Sequence, residues 1–199
     1  MLIVEVGDLE RRRAAIDAAL GAGVDAIQLR DPRASGGALL RAARALRSLT
    51  RATGAALLVN DRVDVALAVA ADGVHLPAAS FPIPAVRALL GSTAWIGRST
   101  HAPEEAVAAA AAGADYVILG PIFPTPSKAR YGAPLGIGAV AATRASVPLV
   151  AIGGVTAARV PELRRAGATG IAVVREILDA PDPGAAARAL VTTLAAQLS

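Results

Sequence analysis

Short apolar segments alternate with longer amphipathic segments along the chain. The apolar segments are about four to six residues long and suit buried strands, whereas the longer ones carry the apolar spacing of helices. The predicted strands are Leu2–Val6, Ala26–Arg30, Ala56–Asn60, Gly73–Leu76, Trp95–Ser99, Tyr116–Gly120, Leu149–Ile152 and Gly170–Val174. The predicted helices are Leu9–Ala22, Gly36–Thr53, Val63–Ala70, Ile83–Leu90, Pro103–Ala112, Ile137–Ala145 and Ala157–Ala166, with a last helix after Pro183.

This strict alternation predicts a parallel sheet, because parallel strands need a crossover connection that is usually helical. Eight such units favour closure into a (β/α)8 TIM barrel, with a doubly wound open sheet as the alternative. Short punctuation precedes every second strand, for example Ala71-Asp72-Gly73 and Gly113-Ala114-Asp115, and indicates a repeat of four quarter-barrels. No linker interrupts the series, so residues 1–199 are expected to form a single domain.

The composition excludes several classes of protein. With 199 residues, 54% of them hydrophobic, the chain can build one sizeable core and does not resemble a disordered protein. The absence of cysteine excludes disulfides, thiolate metal sites and a cysteine nucleophile. No apolar run reaches the roughly 18 residues of a membrane span. Asp8 and Glu10 follow the first strand at once, unlike a signal peptide, so a cytoplasmic protein is expected.

The net charge of +4 does not by itself indicate nucleic-acid binding. Four arginines of the second predicted helix recur at helical spacing and are expected to form a solvated face. They are Arg41, Arg44, Arg47 and Arg51. Aromatic residues, which single-strand binding uses for stacking, are not interleaved with them. We therefore expect a small-molecule ligand and neither nucleic acid nor membrane. A homodimer is compatible with the sequence, which does not specify the oligomeric state.

The rarest polar residues fall at one end of the predicted barrel. The single lysine, the single asparagine and both histidines lie at or just after the C-terminal end of a predicted strand, as do two further polar residues. The set is Gln28, Arg30, Asn60, His75, His101 and Lys128. Barrel enzymes place their chemistry at that face, so these residues are candidates for a functional site. His75, between Val74 and Leu76, would equally suit a hydrogen-bonded histidine of the core.

Two loops at this face predict a phosphorylated ligand. Gly153 and Gly154 follow strand seven, where glycine lets backbone N–H groups approach an anion at the start of a helix. Barrels often bind phosphate after strands seven and eight, although a tight turn would also explain the pair. The loop 121–136 is the longest and carries Lys128, a point-charge phosphate binder, among prolines.

Several stretches in one register resemble the thiamine phosphate synthase and TenI family. They are Gln28-Leu29-Arg30, Asn60 to Asp64, Asp72 to Leu76, Gly97 to His101, Ala114 to Tyr116, Gly120 to Lys128 and Ala151 to Val155. They cover nearly the whole chain in order. The resemblance implies a (β/α)8 barrel of thiamine biosynthesis. The synthase joins hydroxymethylpyrimidine diphosphate to thiazole phosphate and releases diphosphate, whereas TenI aromatises a thiazole carboxylate phosphate by proton transfer.

The resemblance to the synthase also implies roles for individual residues. Asp61 would hold Mg²⁺, and Gln28 would help to position the pyrimidine. The residues implied to contact the diphosphate are Arg30, Asn60 and Lys128. Those implied to line the site of transfer are Ser99 and Thr125. Those implied to bind the thiazole phosphate are Gly153, Gly154, Val174 and Arg175.

Three positions depart from the family patterns and leave the reaction open. Ser80 stands where synthases have a second acidic magnesium ligand, and Pro32 where they have a lysine. Pro121 stands where TenI has its catalytic histidine, so that His101 is the histidine left to substitute for it. The synthase is the favoured interpretation. A TenI-like tautomerase is the alternative, and a non-catalytic phosphate-binding or regulatory barrel is a third hypothesis. Dependence on Mg²⁺ would separate them.

Overall fold

Eight parallel strands form the centre of the molecule. In the computed structural model, which describes residues 1–125 and 133–196, every strand pairs with its neighbours along the chain. The strands are β1 (Leu2–Val4), β2 (Ala26–Leu29), β3 (Ala56–Asn60), β4 (Gly73–Leu76), β5 (Trp95–Thr100), β6 (Tyr116–Leu119), β7 (Leu149–Ile152) and β8 (Gly170–Ala172). The barrel closes where Leu2 bridges Val173 and the Ile3 N–H donates to the Val173 carbonyl at 2.9 Å. The predicted (β/α)8 barrel is therefore confirmed, and the open sheet is wrong.

Helices follow the strands around the outside of the barrel. Within the described residues they are α1 (Asp8–Arg11), α2 (Arg13–Gly21), α3 (Gly36–Thr53), α4 (Val63–Ala68), α5 (Ile83–Leu90), α6 (Pro103–Ala111), α7 (Ile137–Ala142), α8 (Val160–Arg165), α9 (Arg175–Leu178) and α10 (Pro183–Ala195). The predicted first helix is divided at Arg12, whose φ of −132° is not helical. The short helix α9 was not predicted. No helix in the described part of the chain is long and apolar enough to cross a membrane.

The apolar side chains form two separate layers. The larger layer lies between sheet and helices and is built from Ala, Val, Leu and Ile, as at Val74 and Leu76. The smaller layer fills the barrel interior. It consists of Ile3, Leu58, Tyr116, Ile118 and Ala172, with Met1, Val150 and Ile152 packed against it. Successive strand residues alternate between these layers, so a polar residue between two core positions faces the interior of the barrel.

A carboxylate at the N-terminal end of the barrel explains one part of the predicted repeat. Asp72, which precedes β4, accepts a hydrogen bond of 2.7 Å from the Leu57 N–H of β3. The Arg47 guanidinium of α3 donates to the same carboxylate at 2.6 Å. The aspartate therefore ties a helix and a strand to the strand that follows. Arg47 was expected in a wholly solvated helix face, which is wrong for this residue because its ion pair half-buries it.

The same arrangement recurs two strands later. Asp115 precedes β6 and accepts from the Ile96 N–H of β5 at 2.6 Å and from the Arg87 guanidinium of α5 at 2.5 Å. The punctuation before alternate strands thus has a structural role at the end of the barrel opposite the predicted site. These stabilising contacts lie at the end of the barrel away from the C-terminal mouth, where the candidate site residues were predicted.

Candidate functional site

A row of four polar side chains crosses neighbouring strands at the C-terminal mouth. Gln28, Asn60, His75 and Ser99 come from β2, β3, β4 and β5, and the parallel register sets Asn60 beside His75. The Gln28 amide donates from Nε2 to Asn60 Oδ1 at 3.1 Å. His75 Nε2 lies 2.7 Å from Ser99 Oγ. The structure thus brings together residues that are distant in the chain, as expected for polar positions at the ends of adjacent parallel strands.

Gln28 has one atom that points to a missing partner. Its side chain is 1% exposed, and the Nε2 group is satisfied by Asn60. Its Oε1 atom is buried and has no hydrogen-bond partner among the described residues. Leaving a buried acceptor unpaired costs about 1–3 kcal/mol, so native proteins retain one chiefly where a ligand or water supplies the donor.

The sequence left open whether His75 is a site residue or a hydrogen-bonded histidine of the core, and the structure shows contacts of both kinds. It is 2% exposed, and its Nδ1 lies 3.1 Å from the Tyr116 hydroxyl, inside the barrel. It also contacts Ser99, which belongs to the predicted site. Burial, together with the smaller effect of the nearby charges of Arg30 and Arg98, lowers the pKa of His75 to about 3. His75 is therefore a neutral core histidine and not a cationic phosphate ligand.

Two arginines bring positive charge to this side of the mouth. Arg30 follows β2, and its guanidinium makes no hydrogen bond or ion pair within the parts of the chain that the structure describes. Arg98 instead holds the loop after β4, because it donates to the carbonyls of Pro77 at 2.7 Å and Phe81 at 2.6 Å. Sequence reasoning missed Arg98, although the Gly97 to His101 motif contained it. Arg30 is the cation that remains available to an anionic ligand.

The predicted metal ligand lies beside the position that departs from the synthase pattern. Asp61 directly follows β3 with a φ of 65°, and the Ser80 hydroxyl donates a short hydrogen bond to its Oδ1. The two positions are therefore adjacent in space, as the resemblance implied. In residues 1–125 and 133–196 no group of three or more His, Cys, Asp or Glu side chains could hold a metal ion. Asp61 is thus the one carboxylate that the described residues place beside Ser80.

Gly153 and Gly154 lie where two loops approach each other closely. Their φ values are 96° and 64°, in the left-handed region that favours glycine. A Cβ at Gly153 would lie 2.6 Å from the Pro121 side chain, and one at Gly154 would lie 2.7 Å from the Pro124 carbonyl. Packing alone thus requires both glycines. The helix predicted from Ala157 begins there with a 3-10 turn and continues as α8 from Val160.

The backbone around these glycines still offers donors to an anion. The N–H groups of Gly153 and Gly154 have no hydrogen-bond partner within the described residues, and neither do those of Val174 and Arg175 after β8. The Arg175 guanidinium donates to the Thr125 hydroxyl at 2.8 Å, which joins the loop after β6 to the end of β8. Arg159, which the sequence did not single out, stacks 4.4 Å from the Phe123 ring centre.

His101 follows β5 at the rim of the mouth and is exposed. Its Nδ1 lies 2.6 Å from the Gly120 carbonyl, so Nδ1 carries the proton and donates it. The backbone N–H of His101 donates to Glu105 at 2.7 Å. The imidazole is thus held next to Pro121, with Nε2 left as its acceptor. Pro32 lies in the loop between β2 and α3. Lys128 lies outside the described residues, so its predicted role stays a prediction.

Comparisons with known proteins agree with this geometry. A family model described as thiamine monophosphate synthase matches residues 1–177. A putative thiamine-phosphate synthase of Geobacter sulfurreducens is 48% identical over 183 residues, which are 91% of this chain and 86% of that protein. The thiamine-phosphate synthase of Chloroflexus aurantiacus is 46% identical over 180 residues, 89% of this chain and 83% of its own. The solved thiamine phosphate pyrophosphorylase from Pyrococcus furiosus superposes with a TM-score of 0.86 at 33% identity, covering 97% of this chain and 94% of that one.

Proposed function

Because the chain belongs to the thiamine monophosphate synthase family, we propose that it joins hydroxymethylpyrimidine diphosphate to thiazole phosphate and releases diphosphate. The observation that carries this proposal is the buried Oε1 of Gln28, which has no partner among the described residues. An aminopyrimidine brings an N–H donor on a flat ring, which suits a buried acceptor at the mouth of a narrow barrel. The pyrimidine would therefore bind beside Gln28, over the row of polar side chains.

The diphosphate would leave toward the cations on the same side. Transfer breaks the bond between the pyrimidine methylene and the diphosphate oxygen, so negative charge grows on the leaving group. Fixed positive charge placed where that charge develops lowers the barrier. Arg30 supports this role because its guanidinium has no other partner in the described part of the chain. Asn60 would contact the same group, and by resemblance so would Lys128.

Asp61 would hold a magnesium ion that arrives with the diphosphate. Mg²⁺ is usually bound by one or two carboxylates together with substrate phosphates and waters, and a single carboxylate fits that pattern. The ion would neutralise charge on the leaving diphosphate. The Ser80 hydroxyl donates to Asp61, so it is a weaker contributor than the carboxylate found at this position in the synthase pattern.

The thiazole phosphate would bind on the opposite side of the mouth. Four backbone N–H groups without a partner in residues 1–125 and 133–196 support this placement, since amides after strands seven and eight of a barrel commonly hold phosphate. They belong to Gly153, Gly154, Val174 and Arg175. Thr125, held by Arg175, would close this side. The two substrates would then meet across the mouth near Ser99.

A thiazole tautomerase is the second candidate, and one observation favours it. His101 is fixed against the Gly120 carbonyl, next to Pro121, where the TenI pattern has its histidine. Its Nε2 has no hydrogen-bond partner among the described residues, so it is placed to take a proton from a thiazole. A barrel that binds these phosphates without turnover is the third hypothesis.

One experiment separates the three. The purified protein receives hydroxymethylpyrimidine diphosphate, thiazole phosphate and Mg²⁺, and thiamine phosphate is followed by its absorbance after separation. In parallel it receives the non-aromatic thiazole carboxylate phosphate. We expect product only in the first reaction, its loss with EDTA, and little effect of His101→Asn. Turnover confined to the second reaction, abolished by His101→Asn, would establish the tautomerase instead. Binding without turnover in either reaction would leave the third hypothesis.

The site assignments are tested by the variant Gln28→Met. Methionine has a similar volume and no amide, so the fold should be retained while the acceptor for the pyrimidine is lost. We expect about a tenfold higher KM for the pyrimidine diphosphate, in line with one buried hydrogen bond, and an unchanged KM for thiazole phosphate. Equal effects on both KM values would show that Gln28 does not face the pyrimidine.

A further inference from the structure

A chain of three buried or half-buried polar groups runs from inside the barrel to the site. The Tyr116 hydroxyl lies 3.1 Å from His75 Nδ1, and His75 Nε2 lies 2.7 Å from Ser99 Oγ. Tyr116 and His75 are both almost fully buried, whereas Ser99 is half-buried at the mouth. Neither Tyr116 nor His75 would reach a ligand directly, so their effect on one must pass through Ser99.

The hydrogen bonds among Tyr116, His75 and Ser99 can run in one direction only. A neutral imidazole has one donor nitrogen and one acceptor nitrogen. Burial raises the pKa of Tyr116, so the phenol keeps its proton. Within the described residues His75 Nδ1 is the one acceptor within hydrogen-bond distance of that proton, and a buried hydroxyl without an acceptor is costly. Tyr116 therefore donates to Nδ1, and His75 carries its own proton on Nε2 and donates it to Ser99.

We propose that Tyr116 and His75 are positioning residues that make Ser99 a hydrogen-bond donor to the pyrimidine substrate. Since Ser99 Oγ accepts from His75, its own hydrogen is left for a ligand. The mouth then presents a donor at Ser99 and an acceptor at Gln28 Oε1. An aminopyrimidine offers the complement of each group, a ring nitrogen that accepts and an amino group that donates. An oxo-pyrimidine in its N–H form presents an oxygen acceptor where the amino group donates and a ring N–H where the nitrogen accepts, so it would be rejected.

Gly97 sets the position of the Tyr116 ring within this hydrogen-bonded group. It precedes Ser99 by two residues on β5, pairs with Tyr116 of β6, and lets the tyrosine ring lie directly against the strand. A Cβ at position 97 would lie 2.5 Å from Tyr116 Cε1 and closer still to Cζ and Oη. The absent side chain therefore fixes the depth of the ring and with it the reach of the hydroxyl to His75.

The tautomer of His75 tests the inference without any substrate. The chain has only two histidines, so a ¹⁵N-histidine spectrum contains two ring systems, and His101→Asn identifies which is His75. Long-range ¹H–¹⁵N correlations in the free protein should show a protonated Nε2 and a bare Nδ1. A proton on Nδ1 would overturn the proposal. In Tyr116→Phe, the loss of the donor to Nδ1 should move the ring toward a mixture of tautomers.

Affinity for the pyrimidine substrate tests whether Ser99 acts as its hydrogen-bond donor. This second test rests on the proposed function. Calorimetric titration of hydroxymethylpyrimidine diphosphate with Mg²⁺, without thiazole phosphate, needs no turnover. Tyr116→Phe should weaken binding about three- to tenfold, the size expected for one hydrogen bond. In a Ser99→Ala background, the same change should have no further effect. Full affinity in Tyr116→Phe, or a further loss in the Ser99→Ala background, would overturn the positioning role.

Two controls separate positioning from general damage. Thr100→Val removes another buried hydroxyl from β5, one that donates to the Ile118 carbonyl at 3.1 Å, and should leave affinity unchanged. His75→Gln keeps an N–H that can reach Ser99 and should retain more affinity than His75→Leu. If the wild-type protein binds no pyrimidine diphosphate, the proposed function fails. The tautomer of His75 and its response to Tyr116→Phe still decide whether Tyr116 and His75 make Ser99 a hydrogen-bond donor.

Discussion

Gly97 gives the most direct test of how the barrel interior is packed. In Gly97→Ala the new methyl group would lie 2.5 Å from Tyr116 Cε1, with Cζ and Oη nearer still. Carbon atoms at van der Waals contact are about 3.5–4.0 Å apart, so the ring must retreat by at least about 1 Å. That movement would break the 3.1 Å hydrogen bond between Tyr116 and His75.

The expected loss of stability combines two effects. Overpacking a filled core costs about 1–3 kcal/mol. Leaving the buried tyrosine hydroxyl and the His75 Nδ1 without partners adds about 1–3 kcal/mol. For a chain of 199 residues each kcal/mol lowers Tm by about 2–4 °C, so a total of about 2–6 kcal/mol predicts a fall of at least about 4 °C.

Thermal unfolding followed by circular dichroism measures this fall. Gly138→Ala is the matched control, because Gly138 lies in helix α7 with nothing within 4 Å of an added Cβ. Its Tm should stay level or rise slightly, since alanine favours a helix. Replacing Tyr116 with the shorter leucine should make Gly97→Ala much less harmful. A Tm for Gly97→Ala within about 2 °C of the wild type would show that the interior is not packed as described.

Three further predictions concern the metal, the N-terminal rim and pH. Ser80→Asp supplies a second carboxylate beside Asp61 and should tighten Mg²⁺ binding about tenfold. This is seen as a larger rise of Tm on adding MgCl₂, whereas an equal rise in the neutral control Ser80→Asn would contradict the site. Asp115→Asn should lower the free energy of unfolding in urea by about 1–3 kcal/mol, because the Ile96 N–H and Arg87 lose their charged partner. The control Asp17→Asn, in an exposed pair with Arg13, should lower it by less than about 1 kcal/mol. Equal losses would refute the role of Asp115. Because the folded pKa of His75 is about 3 and its ordinary value is 6.5, the unfolded chain binds the extra proton between these values, so stability falls as pH drops through that window. The wild type should therefore lose about 1.4 kcal/mol per pH unit more than His75→Gln, and parallel curves would show that His75 is not neutral in the fold.

The candidate site was predictable as a set of positions and less so as a set of contacts. Gln28 and Asn60 were identified because residues at the C-terminal ends of parallel strands share one face, whereas Ser99 was named only through the resemblance to the family. The hydrogen bonds among them depend on strand register and tilt, which local spacing does not specify. Arg98 was overlooked for the same reason, since its partners are carbonyl groups of the preceding loop, 17 to 21 residues away.

Gly153 and Gly154 show how one sequence feature can have two causes. The sequence pointed to an anion site or a tight turn. The structure shows that the side chain and backbone of residues 121–124 occupy the space that a Cβ would need. A close approach between two loops involves atoms far apart in the chain, so it leaves no periodic signal in either segment.

The sequence by itself determined the architecture of this protein, because alternating strand and helix periodicities leave a parallel sheet with outer helices as the way to bury both sets of apolar positions. It also placed Gln28, Asn60 and His75 at one end of the barrel. Only the tertiary structure decided what His75 does, since the register of β4, β5 and β6 sets its two nitrogens against Ser99 and Tyr116. The tautomer of His75 depends on contacts of about 3 Å between separate strands, which residue order alone does not encode. The same holds for Gln28 Oε1, a buried atom with no partner in the part of the chain that the structure describes.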